Sequence, residues 1–99
     1  MSTTTAVVQI GNSDNKLTQQ EWYGFQSSTF AWVCAVTSQI HFSGASPSLS
    51  QYQNACLAFE IEEDKLPALR ASLAKVADHY RQDSIALTLG STEFVAASQ

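Results

Sequence analysis

Side chains able to carry charge or form hydrogen bonds crowd one short stretch, His79-Tyr80-Arg81-Gln82-Asp83. A turn at that point needs only a Gly or an Asn, so His79, Arg81, Gln82 and Asp83 read as one wall of a binding site. Arg81 supplies charge, and Gln82 a directional hydrogen bond. Asn12, Ser13, Asn15, Tyr52 and Asn54 are the matching candidates elsewhere, with amides and a hydroxyl for polar groups and the Tyr52 ring to stack on a planar one. Backbone amides of a helix starting near Thr18 add a weak anion site.

Catalysis is the weaker reading of these residues. His41 and His79 can each serve as a base, with Asp83 to orient one, but no nucleophile elbow accompanies the many serines. A helix C-terminus favours His79 through the dipole alone. Cys34 and Cys56 lie far apart with no second pair, and the turn at Asp14 has too few ligands. No metal, cofactor or disulfide framework is therefore expected, and both thiols are expected buried and reduced.

These residues are positioned by elements that the sequence marks in order. Thr5–Ile10 is β-branched and apolar on both faces, a central strand ending at Gly11. Thr18 with Glu21 forms a capping box, and Leu17 with Trp22 a hydrophobic staple, opening a helix. Its apolar stripe is Trp22, Phe25, Thr29, Trp32, Val33 and Val36. Gln39–Ser43 alternates as a second strand. Ala55–Ile61 is a third, with Leu57, Phe59 and Ile61 on one face and Cys56, Ala58 and Glu60 on the other.

Asp64 can cap a second helix, whose first turn accepts Pro67 and whose stripe is Leu66, Leu69, Leu73, Val76 and Tyr80. Ser84–Leu89 is the last strand, with Ile85, Leu87 and Leu89 facing inward. Gly90 breaks it, and Thr92–Val95 is placed to resume pairing at an edge.

The order strand, helix, strand, strand, helix, strand makes an α+β domain over residues 1–99. It favours the ferredoxin-like βαββαβ arrangement, a four-stranded antiparallel sheet with two helices on one face. That topology brings residues 11–15, 43–54 and 81–83 to one end of the sheet. The long polar connection from Ser43 to Asn54 is of a length usually tied to function or mobility. On the sheet face away from the helices, Cys56, Ala58, Ala86 and His41 are small enough to admit a second sheet, so a dimer interface is expected there.

Composition narrows the partners. The net charge of −4 and the lack of any Lys/Arg cluster exclude a DNA or RNA backbone. Charged residues make up 14% of the chain, well under the usual share of about 25%. A surface so thinly charged is poorly defended against association, which favours a homo-oligomer, a dimer or higher. The start Met1–Thr5 lacks the basic and apolar parts of a secretion signal, and Phe30–Val36 is too short to span a membrane. A cytoplasmic protein is expected.

Glu21-Trp22-x-x-Phe25 and Gln82-Asp83-Ser84-Ile85, with Gln53-Asn54-Ala55 and Thr92-Glu93-Phe94, resemble small prokaryotic and phage-borne domains of ferredoxin-like fold. That resemblance implies the fold and no chemistry. In size, acidity and independence the chain is also similar in type to phage counter-defence proteins, some of which sequester nucleotide immune signals in oligomeric pockets while others block a host enzyme. The leading expectation is a non-enzymatic, oligomeric binder of a small polar or nucleotide-like ligand. The alternatives are an interaction protein that inhibits a host protein by contact, and a small enzyme using His41 or His79.

Overall fold

The computed structural model describes residues 2–47 and 50–98; two positions of the long polar connection, 48 and 49, lie outside them. The chain forms β1 (Thr3–Gly11), α1 (Gln19–Val36), β2 (Thr37–Ala45), β3 (Asn54–Glu62), a 3-10 turn (Glu63–Lys65), α2 (Leu66–His79) and β4 (Ala86–Gly90). All strand pairings are antiparallel, and the order across the sheet is β2-β3-β1-β4. This is the ferredoxin-like fold.

The central strand alternates as burial demands. Ala6, Val8 and Ile10 point under the helices, where Leu57, Phe59 and Ile61 of β3 join them. α1 begins with the full capping box: Thr18 accepts from the Glu21 amide, and Glu21 accepts from the Thr18 amide. Its buried stripe is Trp22, Phe25, Thr29 and Val33. Trp32, which the spacing puts in that stripe, is 47% exposed, because the step of about 100° between neighbouring residues carries it from Val33 to the helix flank. The same rotation exposes Cys34, while Cys56 is half-buried on β3; both thiols are free.

α2 meets α1 through a close approach. A Cβ on Gly24 would lie 2.6 Å from the Tyr80 hydroxyl, so glycine admits the ring that packs on Phe25 at 5.3 Å between centroids. Asp64 does not cap α2. Glu63, Asp64 and Lys65 wind into the 3-10 turn instead, and no side chain caps the helix that follows.

The second helix ends in a Schellman motif: the Arg81 amide donates to Asp78 O and the Gln82 amide to Ala77 O. Arg81 sits at φ 58°, the left-handed position where glycine is usual.

β2 departs from simple alternation. Ile40 pairs with Phe59 but Phe42 pairs with Ala58, so His41 is an extra residue, a bulge. The bulge sends His41 and Phe42 to the same open face. Phe42, which alternation places inward, is 58% exposed and lies over Gly44. β4 is shorter than expected and Gly90 is its last paired residue, opposite Thr5. Thr92–Val95 forms no strand, and the side chains of Phe94 and Val95 stand in solvent.

The result is a slab. Its extents are 47 × 35 × 18 Å and its radius of gyration is 14.6 Å, against about 13 Å for a compact chain of this length. One sheet face is roofed by helices and the other is bare. No helix of the described residues is long and apolar enough to cross a membrane.

Candidate functional site

The register sets the expected segments side by side. Gly11 faces Asn54 and Gln9 faces Ala86, so the chain leaves β1 and enters β3 and β4 at one end of the sheet. What fills their meeting point is protein. Asn12 is 1% exposed; its Nδ2 donates to Leu17 O at 3.2 Å and Gln53 Oε1 at 3.0 Å, while its Oδ1 accepts from the Leu17 amide at 3.0 Å. Gln53 in turn exchanges two bonds with Gln19, at 2.8 and 3.1 Å. The Asn12 side chain is thus spent on holding the first turn and the end of the long connection to the start of α1.

The other candidates line the outside of this clamp. Asn15 adopts φ 58° in a tight turn closed by its amide on Asn12 O, and Ser13 is exposed beside it. Asn54 donates to Tyr52 O, leaving the Tyr52 ring exposed. His79 meets Tyr80 edge-on at 4.8 Å.

Arg81 Nη2 donates to Glu21 Oε2 at 2.7 Å. The Thr18 amide and then Arg81 hold the Glu21 carboxyl below the ordinary glutamate value. Gln82 donates to Tyr80 O. Gln82 and Asp83 also border a groove of about 400 Å³ between α2 and β4, with Asp78 and Ile85 among its other walls.

A different polar cluster sits on the open sheet face. Glu60 of β3 points away from the helices, and its Oε2 accepts from Thr5 Oγ1 at 2.6 Å and pairs with His41 Nε2 at 2.9 Å. These two contacts, Thr5 first, hold the Glu60 carboxyl below its ordinary value. Thr5 Oγ1 also touches Thr92 Oγ1, and Thr4 Oγ1 donates to Gly90 O at 2.9 Å, so Thr4 holds the end of β4 and Thr5 the segment after it.

Together they bound a hollow of about 600 Å³ with Gln39 and Glu63 at its sides and Phe94 above. Strand alternation places Glu60 and His41 on this face. The bulge at His41 and the return of Thr92 over Thr5 depend on long-range pairing, which alternation does not reveal.

On the same face, Val7, Cys56, Ala58, Ala86 and Thr88 are small and neutral, with Gln9, Phe42 and Glu62 toward its margins. None of the four strands contains a Lys or an Arg. Among the described residues, no three His, Cys, Asp or Glu converge as a metal site.

The chain matches no family model and no curated protein. Among solved structures it is similar to the crystal structure of a dimeric ferredoxin-like protein from an uncultured marine organism. The TM-score is 0.48 and the identity 10%, over 98% of this chain and 95% of that one.

Proposed function

We propose that this chain is a non-enzymatic binding protein that pairs with a second copy through its open sheet face and holds a small polar ligand in the hollow on that face. The observation that carries the reading is the Thr5–Glu60–His41 cluster, a hydrogen-bonded polar floor beside a run of small neutral side chains on the same face. Edge strands that stay in water are commonly guarded by Lys; here neither edge strand, β2 or β4, carries a Lys or an Arg.

A second copy fits this face on two counts. Strand spacing and rise give it a plane of roughly 500 Å², which side-chain relief brings toward the ~800 Å² per partner of a standard interface. Its central polar groups, Glu60 and His41, are hydrogen-bonded to each other, so covering them leaves neither without a partner. A partner sheet would also wall the hollow, which is open in a single copy.

Sedimentation and thermal melting test the reading. The wild-type chain is expected to sediment as a dimer and Ala58→Arg as a folded monomer. Against a panel of small polar compounds, nucleotides included, a ligand at a hundred times its Kd adds about 2.7 kcal/mol of stability. A monomer at all concentrations, or a panel with no shift alongside capture of a protein partner, overturns it in favour of an interaction protein.

A further inference from the structure

We infer that the hollow on the open sheet face takes a small organic cation, a protonated amine on a short apolar frame. This rests on reading the chain as a small-ligand binder and specifies the ligand class.

The charge of the lining comes first. Two carboxylates, Glu60 and Glu63, border the hollow and no Lys or Arg does. All five cationic side chains of the protein, Lys16, Lys65, Arg70, Lys75 and Arg81, lie outside it. A phosphate or carboxylate placed here meets two like charges, and His41, the basic ring in the lining, is already turned to Glu60. Within this hollow a nucleotide-like ligand is therefore disfavoured.

The second point is the way Glu60 is presented. Its Oε2 carries both protein donors, Thr5 and His41. Among the described residues no hydrogen bond reaches Oε1. The side chain is 22% exposed, so the carboxylate is fixed by its neighbours yet open to a ligand from one oxygen. A fixed acceptor with a free oxygen suits an N–H donor, and a charged donor makes the stronger bond. A partly desolvated site strengthens that attraction over its value in bulk water.

Third, Phe94 lines the same hollow with its ring almost wholly exposed. The segment bearing it is tied down at Thr92, through Thr5. An aromatic ring beside an anionic acceptor offers one amine two favourable contacts, its charge to Glu60 and its charge or carbon frame to the ring. The volume, about 600 Å³, falls within the usual 300–1,000 Å³ of small-molecule sites.

Calorimetry and thermal melting with matched probes test the assignment: phenethylamine and 1,4-diaminobutane as cations, 2-phenylethanol as the neutral counterpart, adenosine monophosphate as the anionic one. The amines are expected to bind and raise the melting temperature, the alcohol and the nucleotide to do neither. Glu60→Gln keeps side-chain acceptor and shape and is expected to weaken amine binding at least tenfold. Phe94→Ala, in an exposed segment outside the core, is expected to weaken it severalfold without moving the apo melting temperature, and stands in if Glu60→Gln does not fold.

Amine binding unchanged in both variants overturns the site. A response to the nucleotide or the alcohol in place of the amines overturns the cation class but leaves a small-ligand binder. Silence from all four probes overturns the cation class; whether the binder reading falls with it is then decided by the wider panel of polar compounds.

Discussion

Arg81 Nη2 stands 2.7 Å from Glu21 Oε2, so the residue that ends α2 is held against the first turn of α1. The backbone at Arg81 is left-handed, which costs an L-residue about 1–2 kcal/mol relative to glycine. The exposed ion pair, screened by solvent, returns little of that. Arg81→Gly is therefore expected to be as stable as the wild type or slightly more so, and Arg81→Ala less stable than Arg81→Gly by about 1 kcal/mol. Urea unfolding of the three chains checks the order; Arg81→Gly falling below Arg81→Ala would show that the side chain holds far more than a surface pair.

Asn12 is the polar pin of the fold. Asn12→Ala removes the side-chain partner of the Leu17 amide and of the Leu17 carbonyl, and leaves Gln53 Oε1 with Gln19 alone. At about 1–3 kcal/mol for an unsatisfied buried group, a loss of about 2–4 kcal/mol is expected, measured by chemical denaturation. Asn15→Gly, in an exposed turn at φ 58°, is expected to change stability by less than about 0.5 kcal/mol.

Gly24 and Tyr80 are coupled by shape. Ala is about 1 kcal/mol better than Gly inside a helix, but its methyl would press on the Tyr80 hydroxyl. Overpacking of this kind costs about 1–3 kcal/mol. Gly24→Ala is expected to be neutral to destabilising alone and stabilising in a Tyr80→Phe background, where the clashing oxygen is gone. A double-mutant cycle by thermal melting measures the sign change, and additive effects would refute the close approach.

Glu60 sets an acid limit. A carboxyl whose folded value lies below its ordinary 4.5 stabilises the fold above that value and ceases to do so as pH falls through the folded value. Stability is therefore expected to drop on the acid side of about pH 4.5, and Glu60→Gln to remove part of that dependence. Thr5 is the larger cause, so Thr5→Val should move the Glu60 titration upward, followed by carboxyl NMR; an unmoved titration would show that the Thr5 bond does not form in solution.

Local signals were legible in the sequence and long-range ones were not. Thr18-x-x-Glu21 announces its helix because both partners lie within one turn. The βαββαβ order follows from alternation and helical spacing, and the convergence of residues 11–15, the long connection and 81–83 follows from that order. Asn12 looked like a ligand contact because nothing local shows that Gln53 and Gln19 close over it. Alternation alone turns Phe42 inward, and the bulge that reverses it depends on the strand beside it. His41 and Glu60 shared a face by alternation, but their contact needed the register of β2 against β3.

Thr29 is fully buried and its hydroxyl has no partner among the described residues. Thr29→Val removes a desolvated oxygen at nearly constant shape, so a gain of about 1 kcal/mol is expected by thermal melting. Destabilisation would show that the hydroxyl is used in solution.

The place of β1 in the sheet governs how the protein comes off the ribosome. Val8 is flanked by Leu57 on one side and Leu87 on the other, so the middle of the sheet waits for the far end of the polypeptide. Closing such wide loops slows folding. A nascent chain lacking residues 86–90 leaves an apolar strand with a vacant flank, the form that chaperones capture and that sticks to its neighbours during rapid expression.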